Sequence, residues 1–278
     1  MKKITDITGS FKLNNGVEMP YLGLGTYQSD NDQEVIDAVA NALKLGYRHI
    51  DTASIYANEE GVGKGIKKSG IDRSEIFLVS KVWNTDQGYE RTLKAFDESL
   101  VRLGVDYLDL YLIHWPVAGK YKDTWRALEK LYKENRIRAI GVSNFMQHHL
   151  EDLLTDAAVV PMVNQMEFHP YVVQQKLIDF CKAKDIQYES WSPFMQGKVF
   201  GLDICKDLSK KHHKSVAQII LRYNLQKGIV AIPKSAKKER IISNADVFDF
   251  ELSIEDVAFL DQLDRGERIG PDPDNFDF

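Results

Sequence analysis

The chain has 278 residues, 44% of them hydrophobic and 28% charged, with a formal net charge of −5. That length admits one large domain or two ordinary ones, because α/β barrels run to about 250 residues as a single unit. The mild negative charge disfavours a nucleic-acid partner or an anionic membrane surface. The two cysteines, Cys181 and Cys205, are too few for a disulfide framework or a zinc cluster.

The opening stretch MKKITDITGSFKL has lysines but no uninterrupted apolar core, so it does not read as a signal peptide. No apolar run approaches the roughly 20 residues that span a bilayer. A cytoplasmic protein is expected. FKLNNGVEMP then carries Asn15-Gly16 between alternating residues, which predicts a β-hairpin over about residues 8–20, since both turn positions tolerate positive φ.

Eight short apolar or β-branched runs follow: YLGLG, YRHID, IFLVSKV, YLDLYLIH, IRAIGVS, VPMVNQ, IQYESW and GIVAIPK. Helical spacing fills the gaps. Val35, Val39 and Ala42 precede Gly46; Leu93, Phe96, Leu100 and Leu103 precede Gly104; Trp125, Leu128 and Leu131 form a further stripe. Ser215 is placed to cap a helix carrying Val216, Ile219, Ile220 and Tyr223, which Gly228 closes. All of these stripes read as core.

Eight strands alternating with helices, without a linker-like tract, predict one α/β domain over 1–278 with a parallel sheet. A doubly wound dinucleotide fold needs G-x-G-x-x-G after its first strand, and GLGTYQS offers only two glycines. GVGKGI at 61–66 follows a loop and leads a helix, and Lys64 precedes Gly65 rather than Ser or Thr, so it is no phosphate loop. A (β/α)8 TIM barrel with an N-terminal β-hairpin and a C-terminal tail over about 266–278 is therefore predicted.

Barrel enzymes place their chemistry at the C-terminal ends of the strands. Those positions are Gly25-Thr26-Tyr27, Asp51, Lys81, His114, Ser143-Asn144, Gln165, Trp191-Ser192 and Lys234-Ser235. An acid, a base-capable lysine, a histidine, amide groups and a large aromatic thus share one mouth. Any one of them alone would read as structural; it is their convergence that suggests an active site.

At these residues the chain resembles the aldo-keto reductase family. GYRHIDTASIYANEEGVG is similar to the family's first signature and IPKSAKKERIISN to its lysine signature, while IHWP, GVSNF, VNQMEFHPY and the ending GPDPDNFDF match further segments. The resemblance implies reduction of aldehydes and ketones with NADPH. Tyr56 would be the general acid, Lys81 its activating cation, Asp51 the counter-ion and His114 the group that orients and polarises the carbonyl. A nearby ammonium favours phenolate, so a lowered Tyr56 pKa is expected. Glu59 and Glu60 drop out of the chemistry, Glu59 as a structural residue.

For the cofactor, the resemblance implies Ser143, Asn144 and Gln165 on the carboxamide and Trp191, where many relatives have Tyr, stacked on the nicotinamide. Ser192 and Phe194 would line the pyrophosphate, with Gly25, Thr26 and Asp51 at the same mouth. Lys234, Ser235 and Arg240 would hold the 2′-phosphate, and Asn244 would lie near the adenine. Two cations and a hydroxyl suit that dianion, which favours NADPH over NADH. Tyr27, where many relatives have Trp, would wall an aromatic substrate pocket with Trp83, His114 and Trp115.

A helix starting near Asp123, soon after Pro116, and a short segment beyond Arg265 suggest an open, permissive pocket. Within the family the chain is most like small bacterial reductases of glyoxal, methylglyoxal and diketo sugar acids, so small dicarbonyls or keto sugars are the expected substrates. A monomer without metal, membrane or nucleic-acid partners is expected. A non-catalytic cofactor-binding relative and a phosphate-handling barrel are the competing readings. His148-His149 and His212-His213 read as polar helix residues without metal partners.

Overall fold

The computed structural model describes residues 4–278. The N-terminal hairpin pairs β1 (Ser10–Lys12) with antiparallel β2 (Glu18–Pro20). Its loop has three residues rather than two: Leu13 and Val17 are joined by a 2.9 Å backbone hydrogen bond, and of the loop residues only Gly16 is at positive φ, +89°. Asn15 stays at negative φ, because a turn ending on a left-handed glycine satisfies the hairpin twist with one such residue. Asn14 and Asn15 donate to the carbonyls of Pro161 and Arg138, so the hairpin covers the N-terminal end of the barrel, opposite the strand ends that carry the site.

The alternation then runs β3 (Gly23–Gly25), α1 (Gln33–Lys44), β4 (His49–Asp51), α2 (Glu59–Ser69), β5 (Phe77–Val82) and α3 (Tyr89–Leu103). It continues through β6 (Leu108–Ile113), α4 (Tyr121–Lys133), β7 (Ile137–Ser143), α5 (Gln147–Leu154), β8 (Val163–Glu167), α6 (Gln175–Ala183) and β9 (Gln187–Trp191). An added helix, α7 (Asp203–His212), precedes α8 (Val216–Gln226), β10 (Val230–Ala231), α9 (Lys238–Ala245) and α10 (Ile254–Asp261). Strands β3 to β10 form one parallel sheet in sequence order. Bridges from Leu22 to Ala231 and from Gly25 to Lys234 bring its edges together.

That closure explains Gly25. A Cβ there would lie 2.7 Å from the carbonyl oxygen of Ile232, so a side chain would push the two edge strands apart. The expected stripes on α1, α3, α4 and α8 all face the core, and Ser215 forms a capping box with Gln218. The GVGKGI segment does not lead a helix; it lies inside α2. Gly61, Gly63 and Gly65 are where α2 meets Val35, the Leu103 carbonyl and Val39, each close enough that a Cβ would clash. These glycines serve close packing between helices, not phosphate binding. Helix α4 also starts earlier than expected, at Tyr121.

Cys181 and Cys205 are buried and free. Burial pushes their thiols up to about 12 and about 11, which leaves them inert at neutral pH. No helix among the described residues is long and apolar enough to cross a membrane.

Candidate active site

The loop after β4 is built to carry Tyr56. Residues Ser54–Tyr56 form a single 3-10 turn, closed by Ala57 in the left-handed region. Asn58, fully buried, accepts from Thr52 Oγ1 at 2.7 Å and donates to the carbonyls of Thr26 and Ser29, which ties the turn to the end of β3. Ser54 Oγ adds a bond to the Lys81 carbonyl at 3.0 Å. Glu59 is committed elsewhere: its two oxygens accept from Ser80 Oγ and Arg102 Nε, each at 2.6 Å, which fastens α2 to β5 and α3.

Lys81 is fully buried, and its ammonium donates to Asp51 Oδ1 at 2.7 Å and to the Thr52 carbonyl at 2.9 Å. It lies 3.5 Å from the Tyr56 hydroxyl. Burial acts to lower the Lys81 pKa, but Asp51, Tyr56 and Glu189 outweigh it and hold the ammonium above its usual range. The Tyr56 hydroxyl is pushed up to about 12, chiefly by burial, with Lys81 pulling the other way. The expected lowering is therefore not the net result. Asp51 offsets part of the Lys81 charge, and the buried phenolate loses its hydration. Tyr56 thus holds its proton through the neutral range, as an acid must before it donates.

His114, at the end of β6, packs edge-on against Tyr56 with ring centroids 5.6 Å apart and against Trp83 at 5.1 Å. Burial, and then Lys81, hold its pKa well below the usual histidine range, so the ring is neutral. Its Nδ1 is buried without a partner, which leaves Nε2 as the nitrogen open to the site.

Beneath these groups a buried polar chain continues through Gln165. Its Nε2 donates to Asp51 Oδ2 at 2.9 Å and to Glu189 Oε2 at 2.8 Å, and Glu189 faces His49 at 3.5 Å. Sequence reasoning passed over both His49 and Glu189. Each stands two residues before a strand-end residue, Asp51 or Trp191, and so shares its side of the strand; period-two alternation is the signal that could have found them. Glu189 is held well above the usual carboxylate range by burial and then by Asp51.

This interior has a stability consequence. Burial above all drives His49 down to about 3, and His114 is also depressed. Below the unfolded value near 6.5 the unfolded chain binds two protons that the folded chain does not, so this stability is lost as pH falls. Glu189, with its raised value, acts in the opposite sense between pH 4.5 and its folded pKa. Two histidines outweigh one carboxyl, so a net loss of stability, on the order of 1 kcal/mol, is expected as pH falls from about 6 to about 5. Denaturant unfolding at pH 5, 6 and 7 measures it, and a flat profile would contradict the neutral buried imidazoles.

The residues expected to meet a nicotinamide lie together. Asn144, at φ +63°, donates through Nδ2 to the His114 carbonyl at 3.0 Å and to Ser143 Oγ at 3.1 Å. Ser143 Oγ donates to the Gln165 carbonyl at 2.9 Å, and Trp191 Nε1 donates to Asn144 Oδ1 at 3.0 Å. With both amide protons engaged below, Gln165 Oε1 takes no hydrogen bond from a described residue and is a ready acceptor. Thr26 is spent on backbone, since its Oγ1 donates to the Asp51 carbonyl at 2.9 Å. Ser192 and Phe194 begin the loop after β9, where Phe194 packs on Phe200. Lys234 and Arg240 are exposed at and beyond the end of β10, and neither is paired with a described acid. Ser235 and Asn244 are buried beside them.

On the substrate side, Tyr27 is exposed and lies 5.0 Å from the Tyr56 ring, while Trp83 meets His114. Trp115 instead faces the C-terminal tail. Phe278 stacks on Trp83 at 5.7 Å and an interplanar angle of 7°, and both Phe276 and Phe278 contact Trp115. These two phenylalanines pack on two of the aromatic residues expected to line the substrate pocket, and the sequence signal was the Phe-x-Phe ending. The tail also brings Asp274 to His148 at 3.0 Å and to His149 at 3.6 Å, so this histidine pair does have a partner. His149 Nδ1 accepts from the Met146 N–H, which puts its proton on Nε2, facing Asp274. Polar contacts from both histidines to Asp274 thus tie the tail to α5, and with Nδ1 accepting from Met146 the His149 ring has no free lone pair in this tautomer.

Residues 21–265 match the model of the Aldo/keto reductase family. Glyoxal reductase of Bacillus subtilis (strain 168) is 60% identical over 274 residues, 99% of each chain. Methylglyoxal reductase DkgA of Escherichia coli (strain K12) is 46% identical and covers 95% of this chain and 97% of its own. A crystal structure of a Gox0644 mutant in complex with NADPH has a TM-score of 0.92 at 43% identity, covering 97% of this chain and 98% of that one. Sequence, fold and strand-end geometry agree: the chain belongs to the aldo/keto reductase family.

Proposed function

We propose that this protein reduces small aldehydes and ketones, dicarbonyls such as glyoxal and methylglyoxal foremost and keto sugars among them, to alcohols with NADPH. The observation that carries this reading is the Lys81 ammonium held between the Asp51 carboxylate and the Tyr56 hydroxyl beside a neutral His114. NADPH supplies the hydride. His114 Nε2 orients the substrate carbonyl and stabilises negative charge developing on its oxygen. Tyr56 transfers its proton to that oxygen, and Lys81 stabilises the phenolate left behind. The exposed ring of Tyr27, the half-buried ring of Trp83 and Phe278 stacked on it limit the space beside Tyr56 and His114.

For the cofactor, Ser143, Asn144 and Gln165 bind the carboxamide and Trp191 offers a flat face to the ring. Ser192 and Phe194 line the pyrophosphate. Lys234, Ser235 and Arg240 receive the 2′-phosphate with Asn244 near the adenine. The unpaired state of the two cations supports this assignment, since an ion pair would compete with the phosphate. The Lys234→Ala, Arg240→Ala double variant is expected to weaken NADPH by about 10- to 100-fold and NADH by much less. Equal losses for both cofactors would remove the 2′-phosphate assignment.

Hairpin and tail both pack on the barrel, which supports one working domain; its proposed setting is a cytoplasmic monomer, and the negative net charge disfavours a nucleic-acid partner. The direct test follows NADPH absorbance with glyoxal, methylglyoxal, sugars and aromatic aldehydes. Tight NADPH binding without turnover of any of them would refute the catalytic reading.

A further inference from the structure

Glu167, the last residue of β8, and His169 just beyond it are fully buried, yet neither takes part in the chemistry above. Glu167 Oε1 accepts three hydrogen bonds: from the backbone N–H of Ile269 at 2.6 Å, from that of Gly270 at 3.1 Å, and from His169 Nε2 at 2.9 Å. His169 Nδ1 accepts from the Tyr171 N–H at 3.3 Å, so the ring proton sits on Nε2 and points at the carboxylate. The other carboxylate oxygen lies 3.8 Å from Arg268 Nη1, and Arg268 Nη2 donates to Gln174 at 2.9 Å.

A buried carboxylate needs donors, and here two of them are successive backbone groups of a distant segment. The carboxylate therefore fixes where that strap runs. Gly270 lies so close to Trp191 that a Cβ there would stand 2.4 Å from Cη2 of the indole. Trp191 is thus held on two sides: Asn144 takes its Nε1 proton, and the Gly270 backbone braces its six-membered ring. Without Cβ, the strap can sit against the edge of the six-membered ring; without Glu167, no described side chain collects the two N–H groups that keep it there.

We propose that Glu167 is a positioning residue for cofactor binding: by holding residues 268–270 against the indole, it sets the plane of Trp191 on which the nicotinamide stacks, an inference that rests on the stacking role given to Trp191 above. His169 keeps that carboxylate aimed at the strap. Neither residue touches the reacting atoms.

Calorimetric NADPH titration, kcat and thermal denaturation test this with four variants. Gly270→Ala drives a methyl group into the indole without touching Glu167, and is expected to raise the NADPH Kd by about two- to tenfold with little change in melting temperature. Glu167→Ala should raise Kd to a similar extent and also lower the melting temperature. Glu167→Gln keeps an oxygen for both strap N–H groups and should bind NADPH closer to the parent protein than the Ala variant does. Trp191→Leu tests the stacking role by itself.

If Trp191→Leu raises Kd while Gly270→Ala and Glu167→Ala leave it unchanged, the strap does not set the indole and the proposal is overturned. A Gln variant as impaired as the Ala variant overturns it too. Unchanged binding in Trp191→Leu removes the stacking role and this proposal with it. Should Glu167→Ala fail to fold, Gly270→Ala decides.

Discussion

Replacing Tyr56 with Phe is expected to lower kcat for carbonyl reduction by about 10²- to 10⁴-fold, the usual worth of a positioned general acid. NADPH affinity should stay within about twofold, because the cofactor groups assigned to Ser143, Asn144, Gln165 and Trp191 do not touch this hydroxyl. The fold should persist as well. Among the described residues the one hydrogen bond to the Tyr56 hydroxyl is the long one from Lys81, and the ring remains to pack against Tyr27 and His114. Steady-state rates with methylglyoxal alongside an NADPH titration measure both quantities. A Phe variant that keeps more than about a tenth of the parent kcat would remove Tyr56 as the acid.

Lys81→Met is expected to damage stability and activity together. Asp51 is buried and receives its strongest compensation from the ammonium at 2.7 Å; with methionine there it keeps only the Gln165 amide. Removing one partner of a buried pair costs about 3–5 kcal/mol, because the other charge is left uncompensated. Catalysis falls for a separate reason: no cation remains to stabilise the Tyr56 phenolate. The two effects can be separated. Adding Asp51→Asn to Lys81→Met removes the stranded charge and should recover most of the stability while leaving the rate low. Denaturant unfolding with single-turnover rates provides the measurement. A double variant as unstable as Lys81→Met would show that the pair is not the source of the loss.

Much of the barrel was legible because its signals are local. Alternation within the strands, the stripe Leu93, Phe96, Leu100 and Leu103 ending at Gly104, and the Ser215 cap each depend on neighbouring residues. Reading residues off strand ends then recovered Asp51, Lys81, His114 and Gln165 as neighbours, since a parallel barrel brings all of those ends to one rim. Tyr56 came with them through the motif that follows Asp51.

The misreadings were of a different kind. GVGKGI was read as following a loop and leading a helix; it lies inside α2, where its glycines are favoured by the close approach of α1 and the Leu103 carbonyl, which no local pattern announces. Tyr56 was assigned a lowered pKa from one neighbouring charge, whereas burial and the Asp51 counter-charge oppose Lys81 and win.

What the sequence by itself determined is the repeating order of strands and helices, the closed-barrel class and the set of groups at its mouth, because these follow from periodicity and position along each strand. Tertiary structure alone decided the sign of the Tyr56 shift, the buried chain from Lys81 through Gln165 to Glu189 and His49, and the fold-back of residues 264–278. That last feature places Gly270 on Trp191 and Phe278 on Trp83. Desolvation and contacts between residues far apart in the chain set these outcomes, from 24 residues between Gln165 and Glu189 to 114 between Gln165 and Asp51, and both depend on which surfaces meet once the barrel has closed.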